Sequence, residues 1–174
     1  MLAILLAARL VSADEPPRPA PRFPSADKAH WIGTPATWES LRGRVVLLDV
    51  WTFGCINCVR TIPWVKGVAG RYGERGLSVV GIHTPELPQE RVRSSVEAEV
   101  RKQGLLFPHL LDNDGAYWSA LDNQYWPSIY LVDRCGRIRG RAIGEVHAGQ
   151  TSGRNLEAQI ERLLGEAPDS CTPY

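Results

Sequence analysis

Residues 45–58 of the chain read Val45-Val46-Leu47-Leu48-Asp49-Val50-Trp51-Thr52-Phe53-Gly54-Cys55-Ile56-Asn57-Cys58. The stretch begins with an aliphatic run that is typical of a β-strand buried on both faces, and it ends in a Cys-x-x-Cys motif. Beyond the motif, apolar residues recur at steps of three and four, as on one face of a helix: Val59, Ile62, Val65, Ala69 and Tyr72. The sequence therefore predicts a central strand that leads directly into a helix, with both cysteines at the junction.

The two cysteines differ in their predicted positions. We expect Cys55 at the start of the helix with an exposed sulfur, and Cys58 one turn further along and more buried. Unpaired backbone N–H groups and the helix dipole at this place favour a thiolate over a thiol. Two sulfurs three residues apart can close a small disulfide ring. The motif therefore predicts thiol–disulfide exchange, in which Cys55 attacks, a mixed disulfide forms, and Cys58 resolves it.

Three other features agree with this chemistry. Asp49 is the only charged residue of the strand, and a carboxylate buried there would have a raised pKa and could exchange a proton with Cys58. Pro63 falls inside the helical pattern, where a proline bends the axis. Trp126-Pro127 opens the apolar run 128–132, and an X-Pro bond at such a position is a candidate cis peptide.

With these motifs the chain resembles the thioredoxin superfamily from about Leu41 to Leu164. The shared features are a buried acid, Trp-x-x-x-Cys-x-x-Cys, a helix proline five residues after the second cysteine, and a later proline that opens a strand. The resemblance implies an α/β thioredoxin fold, a central mixed β-sheet flanked by helices, with Cys55, Cys58 and Asp49 as catalytic residues. It also implies a substrate surface that consists of Trp51, Ile56, Trp126 and Pro127. The proline of that surface would keep metal ions away from the thiols.

Further strands are predicted at residues 77–83, 105–111, 128–132 and 138–143, and further helices at 90–102, 117–121 and 156–164. The helix at 90–102 has a narrow apolar face and a charged side toward solvent. This helix and the strand after it form an insertion in the middle of the fold, which resembles the TlpA-like cell-envelope branch of the superfamily. Within that branch, the motifs at 81–86 and 125–127 are most similar to the DipZ-type thioredoxin-like domain. Scattered apolar residues at 31–41 predict an N-terminal hairpin extension that covers one sheet edge.

The length of 174 residues suffices for one domain with a substantial core. We predict a signal peptide of atypical form at residues 1–13, a flexible Pro-rich linker at 14–28, the thioredoxin-like domain at 29–165 and a C-terminal tail at 166–174. The first segment is interrupted by Arg9 and is too short to span a bilayer, and a disordered cytosolic tail is the alternative. The formal net charge of +1 and the lack of a basic cluster argue against a nucleic-acid partner.

The predicted function is that of an exported thiol–disulfide oxidoreductase in the periplasm or another extracytoplasmic space. Strong oxidants stabilise their thiolate with an extra cation, and Ile56-Asn57 supplies none. We therefore expect electron transfer to disulfides of cell-envelope proteins, for example in cytochrome c maturation. The expected partners are protein dithiols or disulfides and a separate membrane electron-donor protein. We expect a monomer, no organic cofactor and no metal. The alternatives are a zinc half-site, a redox-inert binding or chaperone module, and a thiol peroxidase.

The other two cysteines, Cys135 and Cys171, are remote from the motif. In a thioredoxin-like sheet, the turn that holds Cys135 and the exit of the terminal helix lie at the same end, opposite the active site. An exported protein would join the two cysteines in a structural disulfide, which restricts the unfolded chain and stabilises the fold by ~2–4 kcal/mol. Two free thiols are the alternative. The histidines follow no metal-ligand spacing and are interpreted as ordinary strand or loop residues: His30, His83, His109 and His147.

Overall fold

The computed structural model of the protein describes residues 17–167. These residues form seven β-strands: β1 (Arg18–Pro19), β2 (Trp31–Ile32), β3 (Val45–Trp51), β4 (Leu77–His83), β5 (His109–Leu111), β6 (Ser128–Val132) and β7 (Arg137–Ile143). They also form four α-helices: α1 (Ile56–Tyr72), α2 (Arg93–Gln103), α3 (Ala116–Ala120) and α4 (Thr151–Gly165). The predicted signal peptide at 1–13 and the tail beyond residue 167 lie outside the described residues.

The strands form one mixed sheet in the order β1-β7-β6-β3-β4-β5-β2. The central strand β3 pairs in parallel with β4 and antiparallel with β6, and β4 pairs in parallel with β5. The mixed sheet of the thioredoxin fold and the junction of β3 with α1 are therefore confirmed. Among residues 17–167, no helix has both the length and the apolar character needed to cross a membrane.

Strand β3 is buried along its whole length because helices cover both faces of the sheet. Successive residues of a strand point to opposite faces. Val45 and Leu47 pack against α1 and α4, whereas Val46 and Leu48 pack against α3 and the N-terminal segment. Asp49 lies on the same face of the strand as Val45 and Leu47. The one charge of the strand therefore lies on the face that the cysteine-bearing helix covers.

The N-terminal segment differs from the prediction. Residues 31–41 cover one sheet edge as expected, because β2 pairs with β5, but they form no hairpin, since Trp31–Ile32 is the one strand among them. The other edge is covered by β1, which pairs with β7. Part of the expected linker also packs on the domain. The Phe23 ring stacks on Trp38 and Tyr117 at centroid distances of 5.2 and 5.0 Å. This segment is held in place in two ways. Its strands pair with the open backbone groups of the two sheet edges, and its Phe23 ring packs against other rings.

The insertion is present but its elements are shorter than expected. A 3₁₀ turn at Pro88–Arg91 precedes α2, which begins at Arg93 instead of residue 90. The predicted strand at 105–111 is reduced to the three residues of β5, because Pro108 has no N–H to donate to a neighbouring strand. Gly104 ends α2 in the left-handed conformation, with φ of 64°.

Candidate redox site

The two cysteines of the motif face each other across the first turn of α1. Cys55 is the N-cap of the helix, and its Sγ accepts a hydrogen bond from the backbone N–H of Cys58 at 3.3 Å. The N–H of Cys55 in turn donates to the carbonyl oxygen of Thr52 at 3.3 Å. Both cysteines are free thiols. This geometry suits a pair that can close and open a disulfide within one helical turn.

Burial separates the two thiols chemically. Cys55 is half-buried, whereas Cys58 is 2% exposed. Burial raises the pKa of the Cys58 thiol, its interaction with Cys55 raises it further, and a negative charge on Asp49 adds to the same effect. Cys58 therefore holds its proton in the resting dithiol, and only one sulfur of the pair reaches the surface.

Asp49 is buried as the sequence predicted, with 3% of its surface exposed. Burial raises its pKa from 3.8 to about 7. Because the charge of Asp49 acts on Cys58, the structure brings together a buried thiol and an acid that changes protonation near neutral pH. Such a pair can pass a proton between carboxylate and thiol.

Two histidines that surround Trp51 were not predicted as part of the site. The indole N–H of Trp51 donates to Nδ1 of His109 at 3.3 Å, and the Trp51 ring meets the His83 ring edge-on at 5.2 Å. Burial lowers the pKa of His83 to about 4 and that of His109 to about 3, so both rings are neutral at neutral pH. They fix the orientation of Trp51 without carrying charge.

A sequence signal for this arrangement exists at Gly81. Glycine is unusual inside a strand and often marks the close approach of another group. A Cβ at Gly81 would overlap the imidazole of His109 and lie 2.7 Å from its Cε1. The register of the parallel strands places Gly81 beside both Asp49 and His109. The missing side chain leaves the space in which the His109 ring reaches Trp51.

The predicted cis peptide at Trp126-Pro127 is confirmed. The indole N–H of Trp126 donates to the carbonyl oxygen of Thr84 at 3.1 Å, and its ring packs on the cluster that contains Cys58 and Cys55. Of the residues predicted to contact substrate, Ile56 is 60% exposed and Trp126 half-buried. Pro127 and Trp51 are buried, and Trp51 at 1% exposure acts as a core aromatic. The neighbouring Tyr125 is also exposed and extends this surface beyond the four predicted residues.

Cys135 lies at the other end of the sheet from the motif. It occupies the turn between β6 and β7, and the antiparallel pairing of β6 with β3 places that turn at the start of β3. Cys135 is disulfide-bonded. Its predicted partner, Cys171, lies outside the described residues, so the pairing stays a prediction. Within residues 17–167, no three His, Cys, Asp or Glu side chains are grouped so that they could hold a metal ion.

Comparison with known proteins agrees with this geometry. The sequence model of the AhpC/TSA family matches residues 17–141. The chain belongs to this family. It is 40% identical over 141 residues to protein DipZ of Mycobacterium bovis and of Mycobacterium tuberculosis, a match that covers 79% of this chain and 20% of each DipZ protein. The chain thus spans about a fifth of the length of these curated relatives.

Another relative and a structural neighbour are closer to this chain in length. The chain is 27% identical over 150 residues to the thiol-disulfide oxidoreductase YkuV of Bacillus subtilis, over 86% of this chain and 96% of YkuV. The crystal structure of a thiol-disulfide isomerase from Corynebacterium glutamicum superposes with a TM-score of 0.72 at 26% identity and covers 85% of this chain and 98% of that chain. This chain thus combines a thioredoxin-like fold with two free thiols, Cys55 and Cys58, in the first turn of α1.

Proposed function

We propose that this protein is an exported reductase of protein disulfides in the cell envelope. The observation that carries the proposal is the unequal pair of thiols. Cys55 is half-buried at a helix N-terminus, whereas Cys58 is buried and responds to the charge of Asp49. This asymmetry supports one attacking and one resolving sulfur.

In the proposed reaction, the Cys55 thiolate attacks one sulfur of the substrate disulfide. A bond forms between the two sulfurs, and the other substrate sulfur leaves as a thiolate. Cys58 then gives its proton to Asp49 and attacks the Cys55 sulfur, so that the mixed disulfide breaks and the second substrate sulfur leaves. Two electrons have passed to the substrate, and the protein holds a Cys55–Cys58 disulfide. A dithiol on a membrane electron-donor protein reduces that disulfide again.

Asp49 suits the role of proton acceptor because of its environment. A general base works best when its pKa lies near the operating pH, since it is then ionised often enough and still holds a proton firmly. Burial raises the pKa of Asp49 to about 7, whereas an exposed aspartate would hold a proton far too weakly to accept one from a thiol. Once protonated, Asp49 carries no charge that would oppose the new thiolate on Cys58.

The rim of the site supports a protein substrate. Ile56, the first residue of α1, and Tyr125, in the loop before β6, expose apolar surface, and Trp126 lies beside Tyr125. An extended peptide that binds along this surface would also use backbone groups next to Pro127, in the manner of an added strand. Disulfides of envelope proteins, including those of cytochrome c maturation, are substrates of this kind.

Three features support the reducing direction and the location. The residues between the cysteines, Ile56-Asn57, bring no cation that would stabilise the thiolate strongly, as an oxidant requires. The disulfide of Cys135 is of the kind that persists in oxidising compartments. The apolar segment at 1–13 fits export to such a compartment.

Insulin reduction tests the chemistry. In the presence of dithiothreitol, the wild type should accelerate the turbidity of reduced insulin, and Cys55→Ser should abolish this acceleration. Thiol titration should find two more thiols after mild reduction of the oxidised wild type, but not of Cys55→Ser. A wild type without activity and without such a change is a redox-inert binding module. Fast consumption of hydrogen peroxide, with no insulin reduction, would favour the peroxidase.

Trapping tests the substrate class and the location. Cys58→Ser cannot resolve its mixed disulfides and should accumulate them with envelope proteins when it is added in reduced form to an oxidised cell-envelope extract. Cys55→Ser/Cys58→Ser is the matched control and should trap nothing. The full chain with a C-terminal tag should fractionate with the periplasm or the outer face of the membrane. Recovery in the cytosol alone would contradict export.

A further inference from the structure

Glu90 is a buried carboxylate beside the redox motif. By sequence alone it belongs to the charged side of the insertion helix, but it lies in the 3₁₀ turn Pro88–Arg91 and is 0% exposed. A buried carboxylate is costly unless polar groups surround it. Its contacts therefore show what this charge does in the fold.

One carboxylate oxygen of Glu90 binds the backbone of the segment that precedes the insertion. Oε2 accepts hydrogen bonds from the backbone N–H groups of Glu86 at 2.7 Å and Leu87 at 2.9 Å. Burial alone would raise the pKa of Glu90, but polar groups of Leu87, Thr52, Glu86 and Gly54 around the carboxylate together lower it. Glu90 is therefore ionised at neutral pH.

The other oxygen is directed at the residue before the nucleophile. Oε1 is buried and makes no hydrogen bond of normal geometry within the described residues. A Cβ at Gly54 would overlap Oε1 and lie 3.2 Å from Cδ of Glu90. Gly54 does not have a positive φ, so its φ does not by itself call for glycine. The space occupied by the Glu90 carboxylate is what requires glycine immediately before Cys55.

The segment 84–90, which leads from β4 into the insertion, also contacts the other parts of the site. The N–H of Thr84 donates to the carbonyl oxygen of Trp51 at 3.1 Å, and the carbonyl oxygen of Thr84 accepts from the indole N–H of Trp126 at 3.1 Å. Residues 84–90 therefore touch the end of β3, the loop before Cys55 and the loop that carries Trp126. The relative positions of these three backbone segments determine where the Cys55 sulfur lies when it attacks a substrate disulfide.

We propose that Glu90 is a positioning residue for the redox reaction. It acts through Gly54, against which its carboxylate packs, and it thereby fixes the Cys55 sulfur relative to the loop of Trp126. This inference rests on the proposed chemistry of Cys55 and assigns Glu90 no contact with substrate.

Glu90→Gln isolates the contact with the loop. Glutamine can turn its carbonyl oxygen toward the two N–H groups of the insertion, but it then presents a neutral amide to Gly54. We expect kcat for insulin reduction to fall by ~10-fold with KM unchanged, because misplacement of a reacting group reduces the rate and not the binding surface. Alkylation of Cys55 by iodoacetamide should slow as well. Glu74→Gln, the same change at an exposed position, should leave both rates at the wild-type value.

A double-mutant cycle tests whether Glu90 acts through Gly54. Gly54→Ala should slow Cys55 alkylation strongly in the wild type, where the added methyl meets the carboxylate. The same change should have little effect in Glu90→Ala, where the space is open. A non-additive result of this kind supports the proposal, and unfolding in urea identifies any variant that fails to fold.

Two results would overturn the positioning role. One is a Glu90→Gln enzyme with lower stability but the kcat and alkylation rate of the wild type, which would make Glu90 structural only. The other is an equal penalty for Gly54→Ala with and without the Glu90 side chain. A wild type that reduces no insulin would instead count against the proposed function, and the alkylation cycle would still test Glu90.

Discussion

Replacing Asp49 with asparagine should remove a pH dependence from the stability of the reduced protein. Burial raises the pKa of Asp49 from 3.8 to about 7, so the folded state holds this proton more tightly than the unfolded chain does. Below a pH of about 4 the carboxyl group is protonated in both states. From there to about pH 7 only the unfolded chain releases the proton, so the free energy of unfolding falls as the pH rises. The loss is complete above about pH 7.

The size of this loss follows from the same two pKa values. At about 1.4 kcal/mol per pKa unit, a rise from 3.8 to about 7 corresponds to ~4 kcal/mol of folding free energy. Asp49 is only 3% exposed, so solvent screens its charge weakly. Asparagine is nearly isosteric and neutral at every pH. The free energy of unfolding of Asp49→Asn should therefore exceed that of the wild type by an amount that approaches ~4 kcal/mol at alkaline pH. At about pH 4 the two values should be equal.

Urea unfolding followed by tryptophan fluorescence, with a phosphine reductant present, measures this difference from about pH 4 to about pH 8.5. Asp122→Asn is the matched control, because Asp122 is exposed and its φ of 54° suits asparagine equally well. The free energy of unfolding of this control should stay within ~0.5 kcal/mol of the wild-type value at every pH. A constant difference between Asp49→Asn and the wild type across this range would refute the reasoning, because Asp49 would then keep the same protonation on unfolding.

Three further predictions concern the resolving step, the strand glycine and the spare cysteines. Asp49→Asn should slow the release of a preformed mixed disulfide by ~10-fold or more at neutral pH, since Cys58 loses its proton acceptor, and should leave the formation of that disulfide unchanged. Stopped-flow single turnovers measure both rates. Equal release rates in Asp49→Asn and the wild type would show that Asp49 does not relay the proton. Gly81→Ala should lower the free energy of unfolding by ~1–3 kcal/mol because its Cβ would meet the His109 ring. Gly67→Ala is the control in a helix, where the added Cβ meets nothing within 4 Å, and it should raise the free energy of unfolding by ~0.5–1 kcal/mol. If urea unfolding finds Gly81→Ala more stable than Gly67→Ala, the contact between Gly81 and His109 is not as described. In the oxidised protein Cys135 and Cys171 should both resist alkylation, and Cys135→Ser should cost ~2–4 kcal/mol; mass spectrometry that finds both cysteines alkylated would disprove the bridge.

The centre of the fold could be predicted from sequence because its signals lie close together along the chain. An aliphatic run specifies a buried strand, a change of period marks the helix, and Cys55 lies where one pattern gives way to the other. The burial of Asp49 and the cis peptide at Trp126-Pro127 follow from their immediate neighbours in the same way. These predictions are confirmed because local hydrophobic pattern and backbone chemistry act over a few residues, whatever the rest of the chain does.

The tertiary structure alone decided the two sheet edges and the surroundings of the thiols. Strands β1 and β2 have two residues each, too few to show a period, and only the open edges of β7 and β5 make them strands. Glu90 reads as a surface charge until the insertion folds over Gly54. His109 meets Trp51, which lies 58 positions away in the chain, because the sheet register aligns Gly81 with both strands. Contacts between distant segments depend on which strands pair and in what register, and no local pattern in this chain encodes that pairing.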